Sequence, residues 1–344
     1  MNDSTTEPTS TLSKPLPTTM RAVVQHAYGT ADTLGLDTVP LPTISDGEVL
    51  VRVHAAGLDR GTWHLMTGTP YLMRIMGFGL RAPKHPVPGR DLAGTVVAVG
   101  TAVTRFAPGD EVFGIGTGSF AEYAAVPEAK LARKPSRLSF AQAAVMPLSG
   151  GTALQALTDA GRIQPGQSVL VIGASGGVGS YAVQIATALG GRVTGVCSPA
   201  KQAMVAALGA ERVLDYTRDD ATDGSTRYDL IIDIGGNTPL RRLRRALTRT
   251  GTLVIVGGEE GGQVTGGFGR SLRAPLLSPF VPQRLTMLAS KERGSDAERL
   301  AEMVTAGTVS PSLDRSYPLE EAAEAMRRLE AGEVRGKVAI VVVG

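Results

Sequence analysis

An apolar run that breaks at once into crowded glycines constrains the fold more than any other part of this 344-residue chain. In VLVIGASGGVGSYAVQIATAL, residues 169–189, the apolar residues 169–172 are few and β-branched, as in a strand buried on both faces. Gly173, Gly176, Gly177 and Gly179 follow. Val178, Tyr181, Ala182, Ile185, Ala186 and Leu189 then recur at helical spacing. Strand, glycine turn and amphipathic helix in that order are the setting of a dinucleotide fingerprint. Glycine lets the backbone approach a pyrophosphate, and the helix N-terminus offers unpaired N–H groups and partial positive charge. The spacing is G-A-x-G-x-x-G, a variant, and glycine also serves ordinary tight turns. The expected cradle is Gly173, Ala174, Ser175, Gly176, Gly177, Val178 and Gly179.

The apolar fraction, 42%, is that of an ordinary globular protein, and the length allows two domains with sizeable cores. A formal net charge of only +3 argues against a dedicated nucleic-acid binder, and RRLRR at 241–245 reads as a solvated helix face. The single cysteine, Cys197, forms no internal disulfide and supplies no four-cysteine zinc lobe. It reads as an inert packed thiol, and a reducing compartment, the cytoplasm, is expected. No apolar run reaches membrane-spanning length, and the N-terminus lacks a basic region followed by an apolar core. Residues 1–17, mostly Ser, Thr and Pro, read as a disordered tail or a short docking segment.

From Met20 to Gly100 the signals are strands and turns, among them a half-buried strand with Val49, Val51 and Val53 on one face. Further strands are expected at 91–100 and 110–116. Residues 142–159 turn helical, and Pro147 implies two helices or one kinked helix. Strands at 168–172, 192–197, 212–216, 228–236 and 251–258 then alternate with helices at 201–208 and 240–247. That alternation predicts an α/β fold with a doubly wound parallel sheet beside a β-rich domain. Residues 261–295 are too long for a plain loop and read as functional or partly helical. A helix at 297–306, a helical stripe at 319–329 and a strand at 337–343 complete the chain.

The motifs VPGRDLAGTVVAVG, PGDEVFG, GSFAEYAAVP, VLVIGASGGVG, LGAERVLDY, DLIIDIGG and RGKVAIVV, in that order, resemble the medium-chain dehydrogenase/reductase superfamily. The likeness extends from Met20 to Val343 and is to the zinc-free quinone oxidoreductase (zeta-crystallin-like) branch. It implies a GroES-like catalytic domain at 18–145 and 310–344 and a Rossmann NADP-binding domain at 146–309. It also implies a homodimer. The implied activity is hydride transfer from NADPH to a small-molecule substrate: a quinone, an enone or another activated carbonyl compound. An enoyl-thioester or alcohol reductase on the same fold, and a non-catalytic NADPH-binding sensor or structural protein, remain open. No nucleic-acid or membrane partner is expected.

Where zinc-dependent relatives place a Cys and a His-Glu pair, this chain has Asp59 and Arg90-Asp91. Arginine does not ligate metals, so no metal is expected, although His54, His64 and His85 lie near in sequence. Asp91 reads as a structural partner of Arg90 or of a backbone turn. Asp59, His64 and Arg90 are the catalytic candidates, with Asp59 standing where relatives carry Asn. His64 is either a proton donor to a reduced carbonyl or a hydrogen-bonded structural residue. Trp63, Tyr71, Phe268 and Phe280 are candidates to line the substrate pocket, with packing as the alternative.

On the cofactor side, the second strand of the alternating set ends in Cys197-Ser198-Pro199, and no acid stands there to grip a ribose 2′-hydroxyl. Ser198 and Lys201 suit a 2′-phosphate instead, which predicts NADP over NAD. The resemblance adds Tyr216 at that phosphate, Leu148 and Thr152 near the nicotinamide, and Lys337 among the cofactor-binding residues. Gly235 and Gly257 end strands, where ligands of open α/β sheets sit, or serve as turn chemistry.

Overall fold

The computed structural model describes residues 15–258, 262, 264, 266 and 268–342. The tail expected at 1–17 falls mostly outside the described residues. Strand β1 (Thr19–Val24) pairs antiparallel with β2 (Gly35–Pro40). Strand β3 (Glu48–Leu58) is the longest, and its valines at 49, 51 and 53 are fully buried, as their alternation predicts. It runs into a helix that sequence reading missed, α1 (Arg60–Thr67). Asp59 caps α1, accepting from Thr62 N at 2.7 Å, and Gly68 at φ +63° ends it. Strands β4 (Asp91–Val99), β5 (Glu111–Ile115), β6 (Tyr123–Pro127) and β7 (Leu131–Arg133) complete this half.

Helices α2 (Phe140–Ala144) and α3 (Pro147–Gln155) follow. Ser139 and Gln142 form a capping box on the first, and Pro147 opens the second, so the proline separates two helices. The alternating part contains β8 (Ser168–Ile172), α4 (Gly177–Ala188), β9 (Arg192–Cys197), α5 (Gln202–Ala207), β10 (Arg212–Asp215), β11 (Tyr228–Asp233), α6 (Leu240–Arg245) and β12 (Leu247–Ile255). The long connection at 261–295 holds α7 (Phe268–Leu277) and a sixth strand not foreseen, β13 (Arg284–Met287). The chain closes with α8 (Gly294–Thr305), β14 (Leu313–Pro318), α9 (Ala322–Glu330) and β15 (Lys337–Val341).

Two large sheets result. The all-parallel sheet has the order β10-β9-β8-β11-β12-β13, so β9 and β11 flank β8 and the chain reverses direction across it. The other runs β14-β15-β3-β4-β5-β7, with β6 also paired to β3. The late strand β15 thus inserts between β14 and the early β3. The buried helix α4, with Tyr181, Ile185 and Ala186, and helix α3, with Ala153 and Leu154, share one core with β8. That core fixes the glycine turn against the first sheet.

Candidate active site

The glycine turn lies where the parallel sheet reverses. Gly173 has φ +86°, and a Cβ there would stand 3.0 Å from Gly235 N, so the ends of β8 and β11 meet only through glycine. Gly176 caps α4 with no side chain bonded to its free N–H groups, and a Cβ on it would meet nothing nearer than 3.5 Å. An open face before an uncapped helix N-terminus fits a pyrophosphate. Gly179 serves differently from the expectation. A Cβ on Gly179 would stand 2.0 Å from Gly173 O and 2.8 Å from Ala174 Cα, so this glycine packs the helix onto the strand end. Val178 is half-buried against the core, and Ser175 accepts Gly336 N at 2.9 Å.

Strand register assembles a buried ionic cluster beside the turn. Val338 of β15 pairs with Leu58 of β3, and Gly57 of β3 pairs with Asp91 of β4. Lys337, Asp59 and Asp91 therefore converge at one end of three neighbouring strands. Lys337 is 1% exposed, and its Nζ lies 3.1 Å from Asp91 Oδ2 and 3.8 Å from Asp59 Oδ2. Asp91 Oδ1 accepts Leu148 N at 2.7 Å. Asp59 spends Oδ1 on Thr62, and its buried Oδ2 has no hydrogen bond. Burial pushes the Asp91 carboxyl up to about 6, with Lys337 pulling against it and Asp59 adding to it. A Cβ on Gly177 would stand 2.9 Å from Lys337 Cδ, so the cluster abuts the first turn of α4.

On the other side of α1 is a cavity of ≈ 210 Å³, lined by Thr62, Leu65, Met66, Phe78, Val87 and Arg90 among others. Arg90 reaches it but is not the partner of Asp91: its guanidinium pairs with Glu292, which also accepts Lys130 Nζ at 2.8 Å. None of Trp63, Tyr71 and Phe280 lines this cavity. Trp63 packs against the core of the β-rich half, built on Val49, Val51, Leu58 and Met66, Tyr71 lies under the Arg74 guanidinium, and Phe280 is 83% exposed beyond α7. The Phe268 side chain lies outside those described. His64 does not line the cavity either, and its Nδ1 is 2.7 Å from Thr69 O, the structural alternative.

At the adenosine end, β10 lies beside β9, and Tyr216 N donates to Cys197 O at 3.3 Å, so Ser198 and Tyr216 are neighbours. Lys201 is held by backbone carbonyls of the closing segment. Its ammonium donates to Gly332 O at 2.8 Å and Val334 O at 2.7 Å, tying the closing segment to the end of β9. Cys197 is buried, and desolvation raises its thiol, in keeping with an inert packed group. Thr152 Oγ1 faces Ser290 Oγ at 3.5 Å. Gly235 and Gly257 do lie just past the ends of β11 and β12, and sequence reading missed Arg270 of α7, which bonds Gly257 and the neighbour of Gly235, Gly236. Its guanidinium pairs with Asp233 and donates to the carbonyls of Gly236, Thr238 and Gly257. No sequence motif marked Arg270, because most of its acceptors are backbone atoms.

Residues 45–136 match the family model of the alcohol dehydrogenase GroES-like domain, and residues 208–340 that of the zinc-binding dehydrogenases. The chain is 32% identical over 341 residues to 2-methylene-furan-3-one reductase of Solanum lycopersicum, covering 94% of this chain and 80% of that protein. It is 30% identical over 323 residues to the human quinone oxidoreductase, covering 91% and 94%. The chain belongs to the medium-chain dehydrogenase/reductase superfamily, in its quinone oxidoreductase branch. The quinone oxidoreductase of Coxiella burnetii superimposes with a TM-score of 0.82 at 29% identity over 94% of this chain and 99% of that one. As a member of this branch the protein is an NAD(P)-dependent oxidoreductase. Zinc, which the second family model names, does not fit the residues present. Arg90 is itself a cation, Asp91 Oδ2 holds the Lys337 ammonium, and among the described residues no three His, Cys, Asp or Glu side chains group to hold a metal.

Proposed function

We propose that this oxidoreductase is an NADPH-dependent, zinc-independent reductase of quinones, enones or other activated carbonyl compounds. One observation carries the reading: the Lys337–Asp91–Asp59 cluster abuts the first turn of α4 and, through Thr62, the wall of an apolar cavity. A cofactor on the glycine turn and an acceptor in that cavity would then approach each other beside this buried cluster. The bound nicotinamide supplies the hydride, and the protein orients it and excludes water. Negative charge that develops on the acceptor oxygen needs donors in a dry site, and Arg90 stands in the cavity wall for that role. The relatives named as quinone oxidoreductases and as an alkenal/one oxidoreductase support this substrate class.

The preference for NADPH rests on the end of β9, where residues 197–201 carry no carboxylate, although Asp215 ends the neighbouring β10 and Asp314 acts on Lys201. Lys201 uses two of its three donors on carbonyls, which leaves one for an anion, and the exposed Arg335 adds positive charge beside it. The reading also includes a homodimer and a cytoplasmic location. The outer edge of β13, which no strand pairs among the described residues, and the exposed Leu276 and Phe280 support the dimer, and the single buried thiol of Cys197 supports the location. The test is NADPH oxidation with a panel of quinones and enones, before and after dialysis against a chelator. Turnover with several acceptors and an unchanged rate after dialysis are expected. Tight NADPH binding with no turnover on any acceptor favours a sensor, and a rate lost to the chelator and restored by zinc ends the zinc-free part.

A further inference from the structure

The second buried ion pair, in the parallel sheet, stands at the opposite end of the crevice from Ser198 and Lys201. Asp233, the last residue of β11, is completely buried, and Arg270 is 12% exposed. Beyond the ion pair, Arg270 donates to Gly236 O at 2.6 Å and to Thr238 O and Gly257 O at 3.1 Å. These acceptors belong to two separate strand ends, those of β11 and β12. Asp233 adds a third tie, since its Oδ1 accepts Gly236 N at 3.2 Å. The Gly235–Gly236 segment is thereby held against Gly173, with Ile234 N bonded to Ile172 O at 3.1 Å.

A planar guanidinium with several donors in a rigid fork suits this task, and a lysine ammonium does not reproduce it. The sheet reverses between β8 and β11. A dinucleotide bound across such a switch point lays its adenosine half over β9 and its other half over β11 and β12. Arg270 therefore touches only the part of the sheet that faces the nicotinamide half. We propose that Arg270 is a positioning residue for that half of the cofactor: it locks the strand ends at Gly236 and Gly257 into the shape that receives the nicotinamide. The inference rests on the dinucleotide reading of the glycine turn.

A brace that merely stabilised the fold would not distinguish the two halves of the ligand, and this sets the experiment. Dissociation constants are measured for NADPH and NADH, and for the fragments adenosine 2′,5′-bisphosphate and AMP, on wild type, Arg270→Met and Arg270→Lys. Arg270→Met is expected to weaken both dinucleotides about tenfold or more while each fragment stays within about twofold. Arg270→Lys, which keeps the charge but loses the fork, is expected to show the same selective loss to a smaller degree. If Arg270→Met does not fold, the lysine variant alone carries the comparison. Equal weakening of fragments and dinucleotides, or dinucleotide affinity unchanged in both variants, overturns the proposal. A wild type that binds neither dinucleotides nor fragments instead overturns the cofactor reading beneath it.

Discussion

Asp91 and Asp233 occupy matching situations in two different sheets. Each lies at the end of a strand, each is completely buried, and each is pushed up to about 6, by burial first of all. Each also faces one cation that pulls the other way. The cations differ. Arg270 spreads its donors over a carboxylate and three carbonyls. Lys337 has one hydrogen bond, to Asp91, and a second carboxylate oxygen 3.8 Å away that has none. The Arg270 pair is the more nearly closed of the two, with its buried Nε left without a hydrogen bond. The Lys337 cluster is an unfinished network of net charge −1, with donors and an acceptor left over beside the cofactor turn. A buried group left without a partner costs free energy, and such groups persist at sites where a ligand completes them.

The largest expected effect comes from breaking the unfinished network at its cation. Lys337→Met leaves two buried carboxylates facing each other without a counter-charge, which should destabilise the fold by about 3–5 kcal/mol. Denaturant unfolding at pH 7 measures it, and a loss below about 1 kcal/mol would show that the cluster is already solvated. Acid should rescue this variant, because protonating the carboxyls removes the uncompensated charge.

The shared carboxyl behaviour predicts a pH dependence of intermediate size. A carboxyl raised from near 4 to about 6 on folding binds more protons in the native state than in the unfolded chain across that interval. Its contribution to stability therefore falls as pH rises from about 4 to 6 and is level above, by up to about 3 kcal/mol for a two-unit shift. Asp233→Asn lacks this titration. The stability of wild type minus that of Asp233→Asn should become more negative across the interval, read from urea midpoints at each pH. A difference that is flat, or that rises with pH, would falsify the assignment. Asp91→Asn should show the same slope, and unequal slopes would rank how well Lys337 and Arg270 compensate their partners.

The smallest effect is expected at the orphan oxygen. Asn caps a helix about as well as Asp, so Asp59→Asn should leave stability within about 0.5 kcal/mol of wild type. It removes one of the charges that raise Asp91, so the Asp91 titration should move to lower pH. An unmoved titration, followed by the carboxyl signal in NMR, would mean that Asp59 does not act on Asp91.

Patterns that repeat along the chain are legible in the sequence alone. Alternation, glycine turns and helical stripes placed strands β8 to β12, and Pro147 marked the break between α2 and α3. The four residues of β13 were not readable, because RLTM is too short for a period and follows a stretch of Pro and Ser. Helix α1 escaped because its eight residues include only three large apolar ones, and its Asp59 cap had been weighed as chemistry. The two ionic centres were hidden for another reason. Lys337 and Asp91 are 246 residues apart, and they meet only because β15 lies beside β3 and β3 beside β4. Arg90 and Asp91 are adjacent in sequence, yet Arg90 precedes β4 and Asp91 opens it, and they take separate partners, Glu292 and Lys337.

The insertion of β15 between β14 and β3 has a consequence for how the protein is made. Chains emerge from the ribosome N-terminal end first, and domains assemble in that order. Strands β3 to β7 are synthesised some two hundred residues before the strand that finishes their sheet. Until residues 337–341 arrive, the end of β3 at Ala55–Leu58 stands open, with Asp59 and Asp91 lacking their counter-ion. The nascent protein thus has a prolonged stage in which its Lys337–Asp91–Asp59 cluster is unfinished. Ribosome-bound chains halted before residue 337 are the forms in which chaperone engagement should be greatest.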